Sequence, residues 1–321
     1  MGERRTPTRP MGTSDVSVLP EDVWAGRISR CAPSLPFAAS HWLHLGRRAD
    51  PRSRFLPLSV SRADGSDVLV PAFVTARDGV RIGCFGYGTL GLPTDPTGVI
   101  GLPWLAERVR TAAGAGPVRT LLPPPGSVPA LERTVGGWPS RPGPRTYLLD
   151  LSGGAPGAWR AARGKVRTAV RRAREAGLRA VPGGLEHASA LADGYSETMA
   201  RHGRRSPYRA EDLRFLPGAS KEPVSDTVTC VVPDAEGLLA ASVFAFAGST
   251  AFHIMQVTSQ HGRRVNAGHL ALFSALETLA ARGVRCVDLG SAAGPGQEFF
   301  KQNWGGEAAT TRLVHWPQEE S

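Results

Sequence analysis

Only four cysteines occur in this chain of 321 residues, and none of them lies in a Cys-x-x-C pair or beside a histidine cluster. This spacing gives no disulfide framework and no zinc ligand set, so no metal site is predicted. His41 and His44 are three residues apart, but no carboxylate or cysteine adjoins them in the sequence.

Long apolar runs are also missing. No stretch reaches the roughly 18 apolar residues of a membrane-spanning helix. The basic N-terminus lacks the apolar segment of a signal peptide, so we expect a cytoplasmic location. The sequence contains no Walker loop, no protein-kinase motif set, no Gly-x-Ser-x-Gly elbow and no paired carboxylates, which argues against the enzyme classes that depend on them.

Acidic residues are fewer than basic ones, with 28 Asp and Glu against 38 Lys and Arg and a net charge of +10. This excess favours an anionic partner, although an arginine-rich coding bias explains it as well. The hydrophobic share of 41% and the charged share of 21% are those of a globular protein with a real core.

The order of predicted elements indicates two mixed α/β lobes of ordinary domain size. We expect a disordered leader at residues 1–17, a first lobe at 18–150 and a second lobe at 151–321. Each lobe is predicted to hold a mixed, mostly antiparallel sheet flanked by helices. In the first lobe, Asp64-Gly between two apolar runs predicts a hairpin.

The second lobe is predicted to open with a long helix at about 156–176, since Gly177 follows as a C-terminal cap. Arginines recur along this helix at steps of three and four residues, beside an apolar stripe. Later in the chain, a strand at 251–258, a loop, an apolar helix and a strand at 284–290 predict a parallel crossover.

Four segments then occur in a fixed order: Gly86-Tyr-Gly; Tyr147-Leu-Leu-Asp-Leu ahead of the basic helix; Arg282-Gly-Val-Arg-Cys-Val-Asp-Leu-Gly; and Phe299-Phe-Lys-Gln-Asn-Trp-Gly. Over roughly residues 30–310 this set resembles the Fem-type branch of the GNAT acyltransferase superfamily, whose members use aminoacyl-tRNA to build peptidoglycan or natural products. The resemblance implies tandem GNAT-like lobes and amide-bond formation on a peptide or small-molecule amine. It implies aminoacyl-tRNA as co-substrate and no tightly bound cofactor.

The chain departs from the family pattern in two places. Residues 206–225 are short and broken by prolines and glycines, so they do not match the coiled-coil arm of some cell-wall members, and a murein acceptor is not implied. The loop at 259–269 offers only Gly262 and Gly268 where an acetyl-CoA pyrophosphate loop has spaced glycines. An acyl-CoA donor is therefore the alternative to aminoacyl-tRNA.

Amide formation requires aligned substrates, a stabilised oxyanion and removal of a proton from the amine. By resemblance, Lys301 lies near the transferred acyl group, where its ammonium balances the charge of the tetrahedral intermediate; the alternative is a solvated lysine. Asp288 ends a buried parallel strand and would orient an amine or a water, or would cap the following loop. These two are the predicted catalytic residues.

Further residues near these segments are candidates for substrate binding. A tyrosine between two glycines would form a wall of the acceptor pocket, or simply a turn. Basic residues at the end of a helix would hold a phosphate or carboxylate, or only complement the helix dipole. The predicted substrate-binding residues are Tyr87, Phe300, Arg201, His202 and Gln256.

Two basic groups are candidates for donor phosphates. Arg263 and Arg264 precede a helix N-terminus, which itself favours an anion. On the helix at 156–176, a stripe of arginines favours contacts with the tRNA backbone, since phosphate contacts supply sequence-independent affinity. Solvated surface charge explains either group equally well. The stripe consists of Arg160, Arg163, Arg167, Arg171 and Arg174. Arg163, Arg167 and Arg171 are its predicted phosphate-binding residues.

Two other functions fit the same composition. One is an acyl-CoA-dependent N-acetyltransferase of the same fold. The other is a non-enzymatic basic protein that binds RNA or another anion, in which Lys301→Ala would change affinity alone. The transferred group, the acceptor and the oligomeric state are left open by the sequence.

Overall fold

The computed structural model describes residues 16–33, 35–62, 64–75, 79–84, 87, 90–92, 100–114, 116–216, 226–235 and 237–317. Residues 1–15 of the predicted leader lie outside this description. Residues 16 and 17 were predicted to be disordered, but they belong to a strand, Val16–Val18. The reason is backbone pairing, because Val16 and Ser17 face Val60 and Ser59 of a neighbouring antiparallel strand.

The described residues form fourteen strands in one sheet. The strands are β1 (Val16–Val18), β2 (Ala32–Pro33), β3 (Arg54–Ser61), β4 (Asp67–Thr75), β5 (Gly79–Ile82), β6 (Gly91–Leu92), β7 (Val118–Leu122), β8 (Arg141–Asp150), β9 (Val181–Pro182), β10 (Thr227–Asp234), β11 (Gly237–Ala247), β12 (Thr250–Thr258), β13 (Cys286–Asp288) and β14 (Glu307–Trp316).

Helices flank this sheet. They are α1 (Glu21–Ile28), α2 (Ser40–Ala49), α3 (Leu102–Ala113), α4 (Pro129–Val135), α5 (Gly154–Ala161), α6 (Gly164–Glu175), α7 (Ala188–Arg201), α8 (Gln260–Arg264), α9 (Ala267–Ala281) and α10 (Pro295–Asn303). Single 3-10 turns occur at Pro36–Ala38, Leu185–His187 and Ala210–Asp212.

The main path of the sheet runs β1-β3-β4-β5-β7-β14-β8-β13-β12-β11-β10-β9. Two adjacent pairs along this path, β5–β7 and β12–β13, are parallel, and the other pairs are antiparallel. The predicted mixed α/β class with mostly antiparallel pairing is confirmed. The predicted crossover is present as well, with α9 connecting β12 to β13.

One continuous sheet runs through both predicted lobes. The last strand, β14, pairs with β7 on one side and with β8 on the other. β8 was placed at the end of the first lobe, but it also pairs with β13 of the second. The boundary near residue 150 therefore stays a prediction.

The core consists of two clusters of buried apolar side chains. One cluster combines residues of α1 to α4 with residues of α7, β11 and β12, and it includes the fully buried Trp42 and Phe215. The other cluster packs α5, α6 and α9 against the sheet around Trp304. Both clusters remove apolar surface from water, and this removal is the main favourable contribution to folding.

The prediction of one long helix at 156–176 is wrong in one respect, because the structure has two helices in this segment. Ala162 and Arg163 have extended backbone between α5 and α6. The Arg163 amide donates to the carbonyl oxygen of Asn303 at 2.8 Å, a contact with the far end of the chain. Gly177 ends α6 with a φ of +82°, as the sequence predicts.

Candidate functional site

The site begins where β12 and β13 separate. The two strands pair only over Thr250–Phe252 and Cys286–Asp288, while β12 continues to Thr258. A β-bulge lies just beyond that point, since Val243 faces Met255 and Phe244 faces His253 on the other side of β12. The extra residue, Ile254, has no partner in this ladder. Bulges of this kind re-aim backbone groups beside functional sites.

Two cavities meet at this separation. The first has a volume of about 370 Å³ and the second of about 720 Å³. Both are lined by His253 and Ile254 of β12 and by Gly290 and Ser291 after β13. The first cavity is otherwise lined by residues around Phe37, Tyr87, β8 and β14, and the second by residues of α7 to α10. The two cavities are therefore neighbours that share this stretch of wall.

Asp288 forms part of the wall of the first cavity. Its carboxylate is 1% exposed and accepts hydrogen bonds from the Tyr87 hydroxyl at 2.5 Å, the Gly290 amide at 2.7 Å and the Thr146 hydroxyl. Burial raises the pKa of the Asp288 carboxyl, although these bonds and the charge of Lys301 oppose the rise. A carboxyl of raised pKa at a cavity wall is suited to proton transfer.

Lys301 lies in the wall of the second cavity. Its ammonium donates to three successive carbonyl oxygens, of Leu289 at 2.6 Å, Gly290 at 2.7 Å and Ser291 at 2.6 Å. Burial lowers the pKa of Lys301 to about 8, against the attraction of Asp288. The lysine thus fixes the loop after β13 and also brings a positive charge to the point where the cavities meet.

His253 was not singled out from the sequence. Its ring stacks on Phe244 with centroids 4.6 Å apart, and its Nε2 atom is shielded from solvent without a hydrogen-bond partner among the described residues. Burial and the charge of Lys301 lower the pKa of His253 to about 4, so the ring is neutral near pH 7. The only sequence signal was a histidine within an otherwise apolar strand.

Five other predicted residues surround the second cavity: Arg201, His202, Gln256, Arg263 and Phe300. Two of them converge, because the guanidinium groups of Arg201 and Arg263 donate to the same carbonyl oxygen, of Thr258, at 3.3 and 3.0 Å. Burial and the neighbouring Arg263 lower the pKa of Arg201. The Gln256 amide is held by the Ser242 hydroxyl at 2.6 Å.

The loop before α9 differs in detail from its prediction. Arg263 and Arg264 lie within the short helix α8, and Arg264 is exposed and away from both cavities. Asn266 occupies the N-cap position of α9 in a left-handed conformation, with φ of 61°. Gly262 has a packing role, since a Cβ atom there would lie 2.0 Å from the Leu239 carbonyl oxygen.

Of the predicted stripe, Arg167 and Arg171 lie on α6 and Arg163 is its N-cap, and none of the three lines either cavity. Arg163 and Arg171 are exposed, and no carboxylate among the described residues pairs with them. Arg167 is engaged differently, because its guanidinium donates to carbonyl oxygens at the end of α5, including that of Ala162 at 2.5 Å. This contact makes Arg167 a cap of α5, and it is less available to an RNA than its neighbours.

The first lobe has a similar parallel pair, β5–β7, but the corresponding space is filled. The cavity beside it measures only about 10 Å³ and is lined by apolar side chains, among them Leu131, Val135 and Trp138 from and after α4. The Trp138 indole donates to the Ile100 carbonyl oxygen at 2.6 Å, which fixes the indole in this position. This cavity is far smaller than the two at β12–β13.

In the described part of the chain, no group of three or more His, Cys, Asp and Glu side chains could hold a metal ion. Among the same residues, no helix combines the length and the apolarity needed to cross a membrane.

Residues 160–302 match a family model described as an acetyltransferase (GNAT) domain. The match covers less than half of the chain, and with it the predicted acyltransferase class is confirmed. No curated protein sequence gives a significant match to this chain.

Most of the chain also shares its fold with solved structures of similar length. It resembles the crystal structure of FemX with a TM-score of 0.62 and 12% identity, over 92% of this chain and 96% of that one. It resembles L-PGS from Bacillus licheniformis with a TM-score of 0.56 and 12% identity, over 97% and 94% of the two chains. It also resembles a conserved protein of unknown function from Bacteroides thetaiotaomicron with a TM-score of 0.61 and 10% identity, over 94% of this chain and 99% of that one. At such identities the likeness concerns the fold, and at that level the predicted Fem-type resemblance is confirmed.

Proposed function

We propose that this protein transfers an aminoacyl group from aminoacyl-tRNA to an amine and forms an amide bond. The observation that supports this most is the meeting of two cavities at His253, Ile254, Gly290 and Ser291. Substrates bound in two neighbouring cavities are held close to each other, and such proximity supplies much of the rate enhancement of a bimolecular reaction.

The donor belongs in the second cavity. At about 720 Å³ it has room for an aminoacylated nucleotide, and the guanidinium groups of Arg201 and Arg263 offer positive charge to a phosphate. The acceptor amine belongs in the first cavity, beside the Asp288 carboxylate.

The reaction proceeds through a tetrahedral intermediate. The amine nitrogen attacks the acyl carbon, a C–N bond forms, and the C–O bond to the ribose breaks. The Lys301 ammonium stabilises the negative charge that develops on the carbonyl oxygen, as fixed charges do in water-poor sites. Asp288 accepts the proton of the nitrogen, and its carboxylate is regenerated when a proton passes to the leaving ribose oxygen, which departs as a hydroxyl.

An acyl-CoA donor is the second candidate, and one finding favours it. The family model that matches residues 160–302 is described as an acetyltransferase domain. In this case the Arg201 and Arg263 pair would hold the coenzyme phosphates, and the thioester C–S bond would break in place of the ribose C–O bond.

The test is a transfer assay with each donor separately. The purified protein is incubated with a pool of radiolabelled aminoacyl-tRNAs or with labelled acetyl-CoA, together with a pool of amines, and the label in new amides is measured. We expect label from aminoacyl-tRNA, and its loss with Lys301→Met. Transfer from acetyl-CoA alone would reject the tRNA donor, and no transfer from either donor would reject the acyltransferase proposal.

A further inference from the structure

An exposed aromatic side chain lies on one of the helices that line the second cavity. Phe299 is 52% exposed, whereas most large apolar side chains of the described chain are buried. It belongs to α10, and its helix neighbours Gly296, Phe300 and Lys301 line the cavity. Phe299 therefore adjoins lining residues along the helix and does not form part of the cavity wall itself.

A cation covers one face of this ring. The Lys165 ammonium lies 3.5 Å from the centroid of Phe299, which is a close cation–π contact. Lys165 is in the first turn of α6, and the amide of the preceding Arg163 is bonded to the Asn303 carbonyl oxygen at the end of α10. The start of α6 and the end of α10 are thus fixed against each other, so the ring is held in place.

The surface beyond the ring is strongly basic. Residues 154–175, which form α5 and α6, contain seven Lys and Arg residues and one Glu. Several of these side chains are exposed and have no carboxylate partner among the described residues, so their charge is not balanced within the described chain. They are Arg160, Arg163, Arg171 and Arg172.

A polymer whose last unit occupies the second cavity must leave along one of the elements that line it, and the exposed ring and basic surface beside α10 favour that side. An unpaired nucleotide that leaves past α10 meets the ring of Phe299, and the nucleotides before it meet α6. Aromatic rings next to cations are the usual platform for unpaired bases, because every base has a stacking face and every phosphate a negative charge. Charge and ring chemistry together favour a single-stranded nucleic acid over a neutral or cationic partner.

We infer that Phe299 and Lys165 form a stacking platform for the unpaired end of an RNA whose terminal aminoacylated nucleotide enters the second cavity, with the arginines of α6 on the preceding phosphates. This inference rests on the proposed function, since it assumes an RNA-linked donor. It assigns Phe299 as a positioning residue that orders the incoming strand.

Binding of unreactive RNA tests the platform without any transfer step. The probes are a short fluorescent hairpin RNA with an unpaired single-stranded extension at its amino-acid-accepting end and the same hairpin with a blunt end. We expect Phe299→Ala to weaken binding of the extended hairpin about 5- to 20-fold, as loss of one stacked base predicts, and to leave the blunt hairpin unchanged. Phe299→Trp should bind the extended hairpin like the wild type, and Phe299→Leu should bind like Phe299→Ala.

Leu185→Ala is the matched control, since Leu185 is another exposed apolar residue, at 47%, and its removal should change neither affinity. Melting temperatures show whether each variant folds. Equal affinity of wild type, Phe299→Ala and Phe299→Leu for the extended hairpin would overturn the inference. A loss of affinity for the extended hairpin seen only with Arg201→Gln or Arg263→Gln would also overturn it, because that result would place the RNA on the α7 side of the cavity.

Different results reject the RNA-linked donor and the stacking platform. If the wild type binds neither hairpin even at low salt, the RNA-linked donor of the proposed function fails. If transfer from aminoacyl-tRNA occurs but Phe299 variants bind and react as the wild type does, the platform alone is rejected.

Discussion

The Nε2 atom of His44 lies 2.8 Å from the Oδ1 atom of Asp212, across 168 residues of sequence. Arg48 donates to the same oxygen at 2.8 Å, and the Arg209 amide bonds to the other carboxylate oxygen at 3.0 Å. Burial by itself raises the pKa of Asp212, but these bonds together hold it below its usual range. The carboxylate therefore fastens the segment after α7 to helix α2 of the first lobe.

Asp212→Asn is expected to destabilise the protein by about 2–4 kcal/mol, because a buried carboxylate with three donors is replaced by a neutral amide. The measurement is urea unfolding near neutral pH. Because the folded pKa is depressed, the contribution is present above the unfolded pKa and disappears as pH falls through the folded one. Glu211→Gln is the control, since Glu211 is exposed, and it should stay within about 0.5 kcal/mol of wild type. Equal stability of the two variants would contradict this account.

Lys301→Met should lower the rate of transfer by about 100-fold or more, since it removes the fixed charge at the junction and frees three carbonyl groups. The pKa of Lys301 lies at about 8, so the wild-type rate should fall as pH rises above that value and the ammonium loses its proton. The measurement is the pH dependence of kcat under saturating substrates.

Lys301→Arg is the informative partner variant. An arginine stays charged throughout this range but cannot place a compact ammonium among three carbonyl oxygens. The residual activity of this variant should be low, and its rate should not fall as pH rises above about 8. A decline at the same pH in the arginine variant would assign the titration to another group.

The crossover of β12, α9 and β13 was predictable because its signals are local. An apolar strand, an apolar helix and Gly283 as its stop lie in one stretch of sequence, and the parallel pairing follows from that order. The placement of Asp288 at the end of β13 followed in the same way. Predictions of this kind need no knowledge of distant parts of the chain.

Contacts between distant segments were not predictable from the same patterns. The break between α5 and α6 depends on the Arg163 amide meeting the Asn303 carbonyl, and nothing near residue 163 indicates that partner. The hydrogen bond from Tyr87 to Asp288 joins residues 201 positions apart. The second function of Arg167, as a cap of α5, likewise became visible only after the helix was found to be broken.

Gly262→Ala should destabilise the protein and weaken donor binding together. Its Cβ atom would lie 2.0 Å from the Leu239 carbonyl oxygen, so α8 must move away from β11 and take Arg263 with it. We expect a loss of about 1–3 kcal/mol, measured by urea unfolding, and weaker binding of the donor by filter retention. Gly157→Ala in α5 is the control, because nothing lies within 4 Å of its Cβ position. A wild-type affinity in Gly262→Ala would show that α8 does not position the donor.

His253 should make the protein sensitive to acid. Its pKa of about 4 in the folded state is below that of an unfolded histidine, so the unfolded chain takes up a proton first as pH falls below about 6.5. Stability is therefore expected to fall by about 2–3 kcal/mol between pH 6.5 and pH 4 from this group. His253→Phe keeps a ring against Phe244 and should reduce the loss, while His261→Gln, at an exposed position, should not. If the free energy of unfolding falls equally with pH in the wild type and in His253→Phe, this assignment is rejected.

The arginines of α6 should separate into two classes. Arg163→Gln and Arg171→Gln remove exposed charges, so each should weaken binding of either hairpin RNA and lower the slope of log affinity against log salt by about 1, with melting temperatures unchanged. Arg167→Gln should instead lower the melting temperature, because the carbonyl groups at the end of α5 lose their donor. The measurements are fluorescence anisotropy at several salt concentrations and thermal unfolding. An Arg167 variant that melts like the wild type and loses RNA affinity as strongly as the other two would return Arg167 to the RNA-binding face.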